Sequence, residues 1–339
     1  MFRDKDIKQL QDRGISVQQA ERQIELLRKG FPFMKLTKAA TIKDGIKKLH
    51  DKQLQEYIVK YDEAEAQQRV KFVPASGAAT RMFKALFEFD ELFRQSNFDV
   101  KILSNDAYKH VKECFDRIDQ FAFYRQLEKT VAKTGGTLTD TLKKKDYHII
   151  LSALLGSEGL NYGNLPKGLL TFHQYDVATR TAVEEHLVEG AGYCPNQDNT
   201  IRIHLTVSPE HKTAFENLLK NVQGSYEKQF NTRFDIRYSI QKPSTDTLAI
   251  DDKNEPFRET NGSLHFRPGG HGALLENLND IDGDIIFIKN IDNVTHDRNK
   301  GDTYIYKKAL GGLLIGYQKR IFDYLNRLDH EKDVSTELL

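Results

Sequence analysis

The sequence predicts a mixed α/β protein: a mostly parallel sheet with helices on both faces, an N-terminal helical cap and a helical insertion. Three observations carry this expectation. Short apolar runs with strand character recur at residues 70–73, 201–207, 234–240 and 284–291. Single helical patterns separate the later runs, which is the spacing of parallel strands joined by crossover helices. Before Val70, and again between about 82 and 160, the pattern is helical. The expected domains are therefore a cap at 1–69 and an α/β domain at 70–339 with its insertion near 82–160.

In chain order, Ser16 with Gln19 three residues on is a capping box, and Ala20, Ile24, Leu26 and Leu27 supply an apolar helix face. Thr41 is expected to open a second helix that buries Ile42, Ile46 and Leu49, and a third is expected from Gln53 to Gln68. The run at Val70–Val73, with Lys71 inside it, reads as a buried strand. Thr80 then opens an amphipathic helix carrying Met82, Phe83, Leu86 and Phe87. Helices follow to about Leu155, broken at Ser104-Asn105 and Gly135-Gly136, with aromatics that read as core. Next comes a strand at Leu169–Phe172, then a helix from Asp176 to about Val188 with Val177, Val183 and Leu187 inward. Ile201–Val207 and Phe234–Ile240 alternate at period two, and Ser208-Pro209 starts the helix between them. Asp284–Ile291 is the most apolar of the strands and is expected at the sheet centre.

Charge and composition narrow the function classes. The 339 residues include 50 basic and 49 acidic ones, for a formal net charge of +1. That balance supplies no electrostatic reason for nucleic acid or an anionic membrane as partner. Mean hydropathy is −0.59, and no apolar run approaches the ~20 residues of a spanning helix. The start, M-F-R-D-K-D-I-K, is charged and lacks the apolar core of a secretory signal. Cys114 and Cys194 stand apart from each other and from any C-x-x-C pattern, as buried reduced thiols do. A soluble cytoplasmic protein is the expectation.

Four loops carry the candidate chemistry. Ser76, Gly77, Ala78, Ala79 and Thr80 form a small-residue loop between strand and helix, whose backbone N–H groups and helix dipole suit an anion. Arg81 adds a planar cation matched to phosphate oxygens. The same pattern also serves as an ordinary strand-to-helix turn. Pro166-Lys167-Gly168 is a fixed turn projecting one lysine, which also reads as an ordinary solvated turn residue. Gln241 ends a strand and offers a paired amide donor and acceptor, suited to a base edge or equally to a structural role. Arg267-Pro268-Gly269-Gly270-His271-Gly272 is dense in glycine, as where a flat group lies on the backbone or φ is positive. Asp292, at the end of the apolar strand, is a hard-cation ligand suited to Mg²⁺, or alternatively a turn cap with Asn293. Ser76 lacks the G-x-S-x-G elbow of a serine hydrolase. Histidines 204, 211, 265, 271 and 296 lack the H-x-x-x-H spacing of a zinc site.

Taken in order, these motifs resemble the uridylyltransferase family of UDP-sugar pyrophosphorylases, nearest its UDP-N-acetylhexosamine branch. That family's pattern is a G-x-G-T-R loop, a lysine turn, a P-D-G-N-G-G-L-Y run and a V-D-N strand end. Here the corresponding stretches are S-G-A-A-T-R at 76–81, P-K-G at 166–168, P-G-G-H-G-A-L-L at 268–275 and I-D-N at 291–293. The resemblance covers about 70–294. The whole chain also resembles a bacterial family known only as a domain of unknown function, number 4301. The departures are the single glycine of the loop, the helical insertion before Lys167, His271 in place of an asparagine, and a short chain after Asp292 where the family builds its sugar site.

The resemblance implies a nucleotide-diphospho-sugar transferase-like, Rossmann-like fold. Its reaction joins a nucleoside triphosphate, UTP by expectation, to a sugar-1-phosphate and releases pyrophosphate. Arg81 and Lys167 would be catalytic, Asp292 would hold Mg²⁺, and Ser76–Thr80, Gln241, Gly270, His271 and Gly272 would bind the nucleotide. Two alternatives stand beside it. One is a non-catalytic binder of nucleotide or sugar phosphate. The other is a glycosyltransferase, for which Asp280-Ile281-Asp282 has the D-x-D spacing but precedes its strand.

Overall fold

A computed structural model describes residues 2–64, 68–94 and 100–330. Helices α1 (Asp4–Asp12) and α2 (Val17–Lys29) come first, then two-residue strands β1 (Thr41–Ile42) and β2 (Gly45–Ile46) and helix α3 (Asp51–Asp62). Strand β3 (Arg69–Pro74) leads into the helical insertion, α4 (Lys84–Phe93), α5 (Lys109–Asp116), α6 (Tyr124–Ala132), α7 (Leu138–Lys144) and α8 (Tyr147–Leu155). A hairpin of β4 (Thr171–Gln174) and β5 (Thr179–Thr181) precedes α9 (Ala182–Tyr193). The chain continues through β6 (Thr200–Val207), α10 (Lys212–Phe230), β7 (Arg233–Ile240), β8 (Thr247–Leu248), β9 (Phe266–Arg267), α11 (Leu275–Asn279), β10 (Ile285–Ile288) and α12 (Lys300–His330).

The chain divides into two compact units, each discontinuous in sequence. One comprises Met1–Gln68, Ser239–Ile285 and Asp302–Leu339, and the other Arg69–Tyr238 and Ile286–Gly301. The sequence reading instead places a single boundary at residue 69. In the first unit, Leu10, Ala20 and Ile24 from the first two helices and Ile15 from the turn between them pack on Leu248 and Leu264. Ser16 caps α2 with Gln19 as expected. Helix α12 meets α3 so closely that a Cβ on Gly312 would stand 1.8 Å from the Tyr57 carbonyl.

The second unit has two cores. One fills the helical insertion around Phe89, whose ring lies 5.9 Å from both Phe115 and Tyr147. The other joins the sheet to α9 and α10 through Val73, Ile201, Ile203, Leu205, Val183, Leu187, Phe215 and Leu219. The main sheet is parallel, four strands in the order β10-β3-β6-β7. Lys71 pairs with Ile203 and Val73 with Leu205 across β3 and β6, so Lys71 shares the face that α9 covers. On the other side of β3, Lys289 N–H donates to Phe72 O and Ile291 N–H to Pro74 O, a constant offset that makes this pairing parallel too.

Several expectations need correcting. The stretch before Val70 is not helical throughout: Thr41 opens no helix, and Ile42 and Ile46 are exposed. Positive φ at Lys43 (74°) and Gly45 (91°) breaks a helix there. The helix expected at Gln53–Gln68 runs Asp51–Asp62 instead, and residues 65–67 lie outside the described ones. Residues 176–181 form no helix but the turn and second strand of the hairpin, leaving Val177 97 % exposed. The helix begins at Ala182 because Thr181 caps it reciprocally with Glu184. The apolar run at 284–291 is an edge strand, and the fully buried β3 occupies an interior position despite its lysine. Finally, the helix expected from Thr80 starts at Lys84, for a reason that lies in the site itself.

Candidate functional site

The order of the strands locates the site. From β3 the chain moves to β6 and then β7 on one side, and it returns to β10 on the other. Connections therefore run in opposite directions on either side of β3, which makes the gap between β3 and β10 a topological switch point. Ligands of open parallel sheets bind outside the carboxyl ends of strands at such a point. The loop from Ala75 to Arg81 leaves the carboxyl end of β3, and Asp292 follows β10 closely. Both predicted motifs thus belong to the switch point.

The lysine turn joins them there. Lys167 N–H donates to Gly77 O at 3.1 Å, and Ala79 N–H donates to Leu165 O at 3.3 Å, so the loop and the turn pair as a short antiparallel bridge. That pairing delays the helix: residues 79–83 close as tight turns, with Met82 N–H on Ala79 O and Phe83 N–H on Thr80 O. The N–H groups of Ser76, Gly77, Ala78, Thr80 and Arg81 donate to no partner among the described residues. Side chains leave this row open: Gly77, Ala78 and Thr80 are exposed, and Arg81 is exposed with no ion pair among the described residues. A Cβ added at Gly77 would meet nothing within 4 Å, so the protein's own packing does not demand glycine there.

Gly168 is different. A Cβ there would lie 2.6 Å from the Phe215 ring and 3.2 Å from Ile291. Only glycine lets the turn press onto α10 and the segment after β10, and that seat brings Lys167 to Asp292. The lysine Nζ donates to Asp292 Oδ2 at 2.5 Å, with the two side chains 26 % and 35 % exposed. A lysine–carboxylate pair this open is worth at most about 1 kcal/mol, so a ligand can exchange it at little cost.

The remaining predicted residues belong to the first unit. Gln241 Nε2 donates to the Gly269 carbonyl at 3.4 Å. In the glycine run it is Gly269 whose packing is tight: a Cβ there would stand 2.8 Å from both Ala273 Cβ and Thr245 O, whereas Gly270 and Gly272 have open space. None of the three has positive φ, which corrects one of the two reasons expected for that run. Gly270 precedes a tight turn at His271–Leu274, and His271 is exposed.

Sequence reasoning missed a second cluster in the unit that holds the phosphate-loop candidate. Glu185, fully buried on α9, accepts from His173 Nδ1 at 2.9 Å, Tyr175 OH at 2.6 Å, Arg180 at 3.5 Å and Lys300 Nζ. Lys300 and Arg180 also reach Asp297, Arg180 through both carboxylate oxygens at 2.7 and 2.9 Å. The Arg180 guanidinium lies 4.2 Å over the Tyr175 ring, and His296 stacks on that ring at 4.4 Å. Burial pushes the Glu185 carboxyl up, but its donors outweigh that and hold it below the usual range. Asp297 is likewise held at about 2 against its desolvation, by Arg180 and Lys300. Burial and the Glu185 carboxylate push Tyr175 up. One turn along α9, Glu189 takes Lys71 at 3.3 Å and Lys289 at 2.7 Å. The signal that could have found these groups is α9's composition. A-V-E-E-H-L-V-E-G-A-G is apolar on every side of its acids, and a helix apolar all round is buried, acids included.

Among the described residues, no group of three or more His, Cys, Asp or Glu is placed to hold a metal ion. Asp292 offers one carboxylate, which suits an ion brought in and mostly coordinated by a triphosphate better than a resident one.

The family described as a domain of unknown function (DUF4301) matches residues 3–339, and the chain belongs to it. Neither a curated protein nor a solved structure matches the chain.

Proposed function

We propose that this member of the DUF4301 family binds a nucleoside triphosphate by its phosphates at the β3–β10 switch point. Its reaction, in this reading, joins the nucleotide, UTP in the first instance, to a sugar-1-phosphate and releases pyrophosphate. One observation carries the proposal: the open N–H groups of Ser76, Gly77, Ala78, Thr80 and Arg81 converge with Lys167 and Asp292 at the carboxyl ends of adjacent parallel strands. Chain reversal beside β3 in a parallel sheet supports the Rossmann-like reading that the motif resemblance implied.

The chemistry needs positioning and charge neutralisation more than a covalent group. The N–H groups of Ser76, Gly77, Ala78 and Thr80 would take the β- and γ-phosphate oxygens, as oriented backbone donors do for anions. Arg81 and Lys167 would neutralise the charge that builds on departing pyrophosphate. Asp292, released from Lys167, would hold the Mg²⁺ that the triphosphate carries, and bound Mg²⁺ would draw charge from the phosphoryl oxygens. A phosphate oxygen of the acceptor then bonds to the α-phosphorus while the bond to pyrophosphate breaks.

The test is pyrophosphate release from each triphosphate with Mg²⁺ and a panel of sugar-1-phosphates. Lys167→Ala should lower turnover roughly 10²- to 10³-fold with the fold intact by circular dichroism; undiminished turnover would remove Lys167 from the mechanism. A second reading, binding without transfer, is favoured by the Lys167–Asp292 pair itself, which neutralises the carboxylate instead of leaving it open to a cation. A thermal shift with UTP but no pyrophosphate would select it. The glycosyltransferase reading has less behind it, because Asp280 is paired with Lys242 at 2.7 Å and its D-x-D stretch comes before β10.

A further inference from the structure

The transfer to a phosphate acceptor makes no use of the Glu185 cluster, because a phosphate oxygen is already ionised and needs no base. The donors gather on the Glu185 carboxylate, one of them is the His173 imidazole, and the next residue on α9, His186, has its Nε2 3.1 Å from the carbonyl of Ile291, which precedes Asp292. An ionised carboxylate can only accept, so Glu185 draws a proton of His173 to Nδ1, and in the neutral ring Nε2 is then the acceptor. Nε2 has no partner among the described residues, and the side chain is 20 % exposed. A carboxylate that orients a histidine in this way is the arrangement of a general base.

A purely structural tie would not need the histidine. Lys300 alone links α9 to the segment after β10, through Glu185, the Thr295 carbonyl at 2.7 Å and Asp297 at 2.8 Å. Burying several charges also costs desolvation that apolar side chains would avoid. The rim beside the imidazole has polar character of a particular kind. Asp297, 41 % exposed, and the Arg180 guanidinium stand beside the stacked rings of Tyr175 and His296. A carboxylate, a guanidinium and an aromatic face are the groups that orient a polyhydroxylated molecule.

We propose that His173, positioned by Glu185, is the proton acceptor in a further activity of the nucleotide site: transfer to a free hydroxyl of a sugar or polyol held by Asp297 and Arg180. The electrophile in this step rests on the triphosphate reading above. The hydroxyl O–H bond breaks and its proton passes to His173 Nε2. The oxygen bonds to the α-phosphorus, and the bond to pyrophosphate breaks with its electron pair leaving on pyrophosphate.

The experiment compares two acceptor classes on the full chain with UTP and Mg²⁺: free glucose, glycerol and myo-inositol against the sugar-1-phosphates. His173→Gln should lower the ratio of hydroxyl to sugar-1-phosphate turnover by about 10²-fold or more. An unchanged ratio overturns the proposal. If neither acceptor class turns over, the transfer reading itself has failed, and the proton site is decided on the unmutated chain. Nitrogen-15 NMR of labelled histidines should show His173 as the Nδ1–H tautomer, which sustains the dyad. The Nε2–H tautomer overturns it, without recourse to a buried Glu185 variant that could fail to fold.

Discussion

Two lysine–carboxylate pairs draw on the chain just after β10, and they differ in kind. Lys167 and Asp292 are 26 % and 35 % exposed, while Lys300 and Glu185 are 2 % and 0 % exposed. In the open pair, water screens both charges and little is lost when they part. In the closed pair, the charges have already lost their water, so each depends on the other and on the donors around them. An open pair can therefore be exchanged for a ligand, whereas a closed one can only hold other groups in place. The contrast separates charges that can change partners at little cost from charges held by their surroundings.

The largest effect that could break this contrast is on stability. Lys300→Met should destabilise the chain by about 3 to 5 kcal/mol in urea unfolding, because it takes the buried ammonium from both Glu185 and Asp297 and leaves Glu185 only its weaker donors. Lys167→Ala should cost under about 1 kcal/mol in the same measurement; similar losses in both would erase the distinction. Next in size is the glycine that seats the open pair. Gly168→Ala drives a methyl group into the Phe215 ring and should cost about 1–3 kcal/mol, with the turnover ascribed to Lys167 falling alongside. A neutral result would mean the turn does not depend on that close approach.

The smallest effect is a slope. Burial lowers the Lys71 ammonium to about 7, against the pull of Glu189 and with Lys289 adding repulsion. Below about pH 7 both the folded and unfolded states hold the proton, and the folded state carries the buried charge. Between 7 and the unfolded value of 10.5 the unfolded chain holds more protons than the folded one, so stability rises with pH. Lys71→Met removes this slope while leaving Glu189 paired with Lys289. Its stability advantage over the unsubstituted chain should therefore be greatest at pH 6 and shrink by pH 9, as read by urea midpoints. A constant difference would show that Lys71 keeps its proton throughout.

Much of this was legible in the sequence where the signal is local. Period-two alternation marked β6 and β7, and the Ser16 capping box marked the start of α2. The loop at 76–81, the lysine turn and Asp292 were each recognisable from residue type and order. The hairpin at 171–181 was not, because Asp176-Val177 carries no Asn-Gly or Asp-Gly signal and Val177 mimics an apolar helix position. Nor was the Glu185 cluster, whose partners come from β4, β5 and the segment near 297–300, more than a hundred residues beyond the first of them.

By itself, then, the sequence determined where strands and helices can form and which loops are open enough to meet a ligand. Those properties depend on backbone preference and on neighbours three or four positions away. The tertiary structure alone decided that β10 pairs beside β3 at the sheet edge, creating the switch point, and that Gly168 against Phe215 carries Lys167 to Asp292. It also decided that the acids of α9 lie inside with lysines from β3, from the end of β10 and from the start of α12. Pairing order and charge burial are settled by contacts between distant segments, whose free energy no local pattern records.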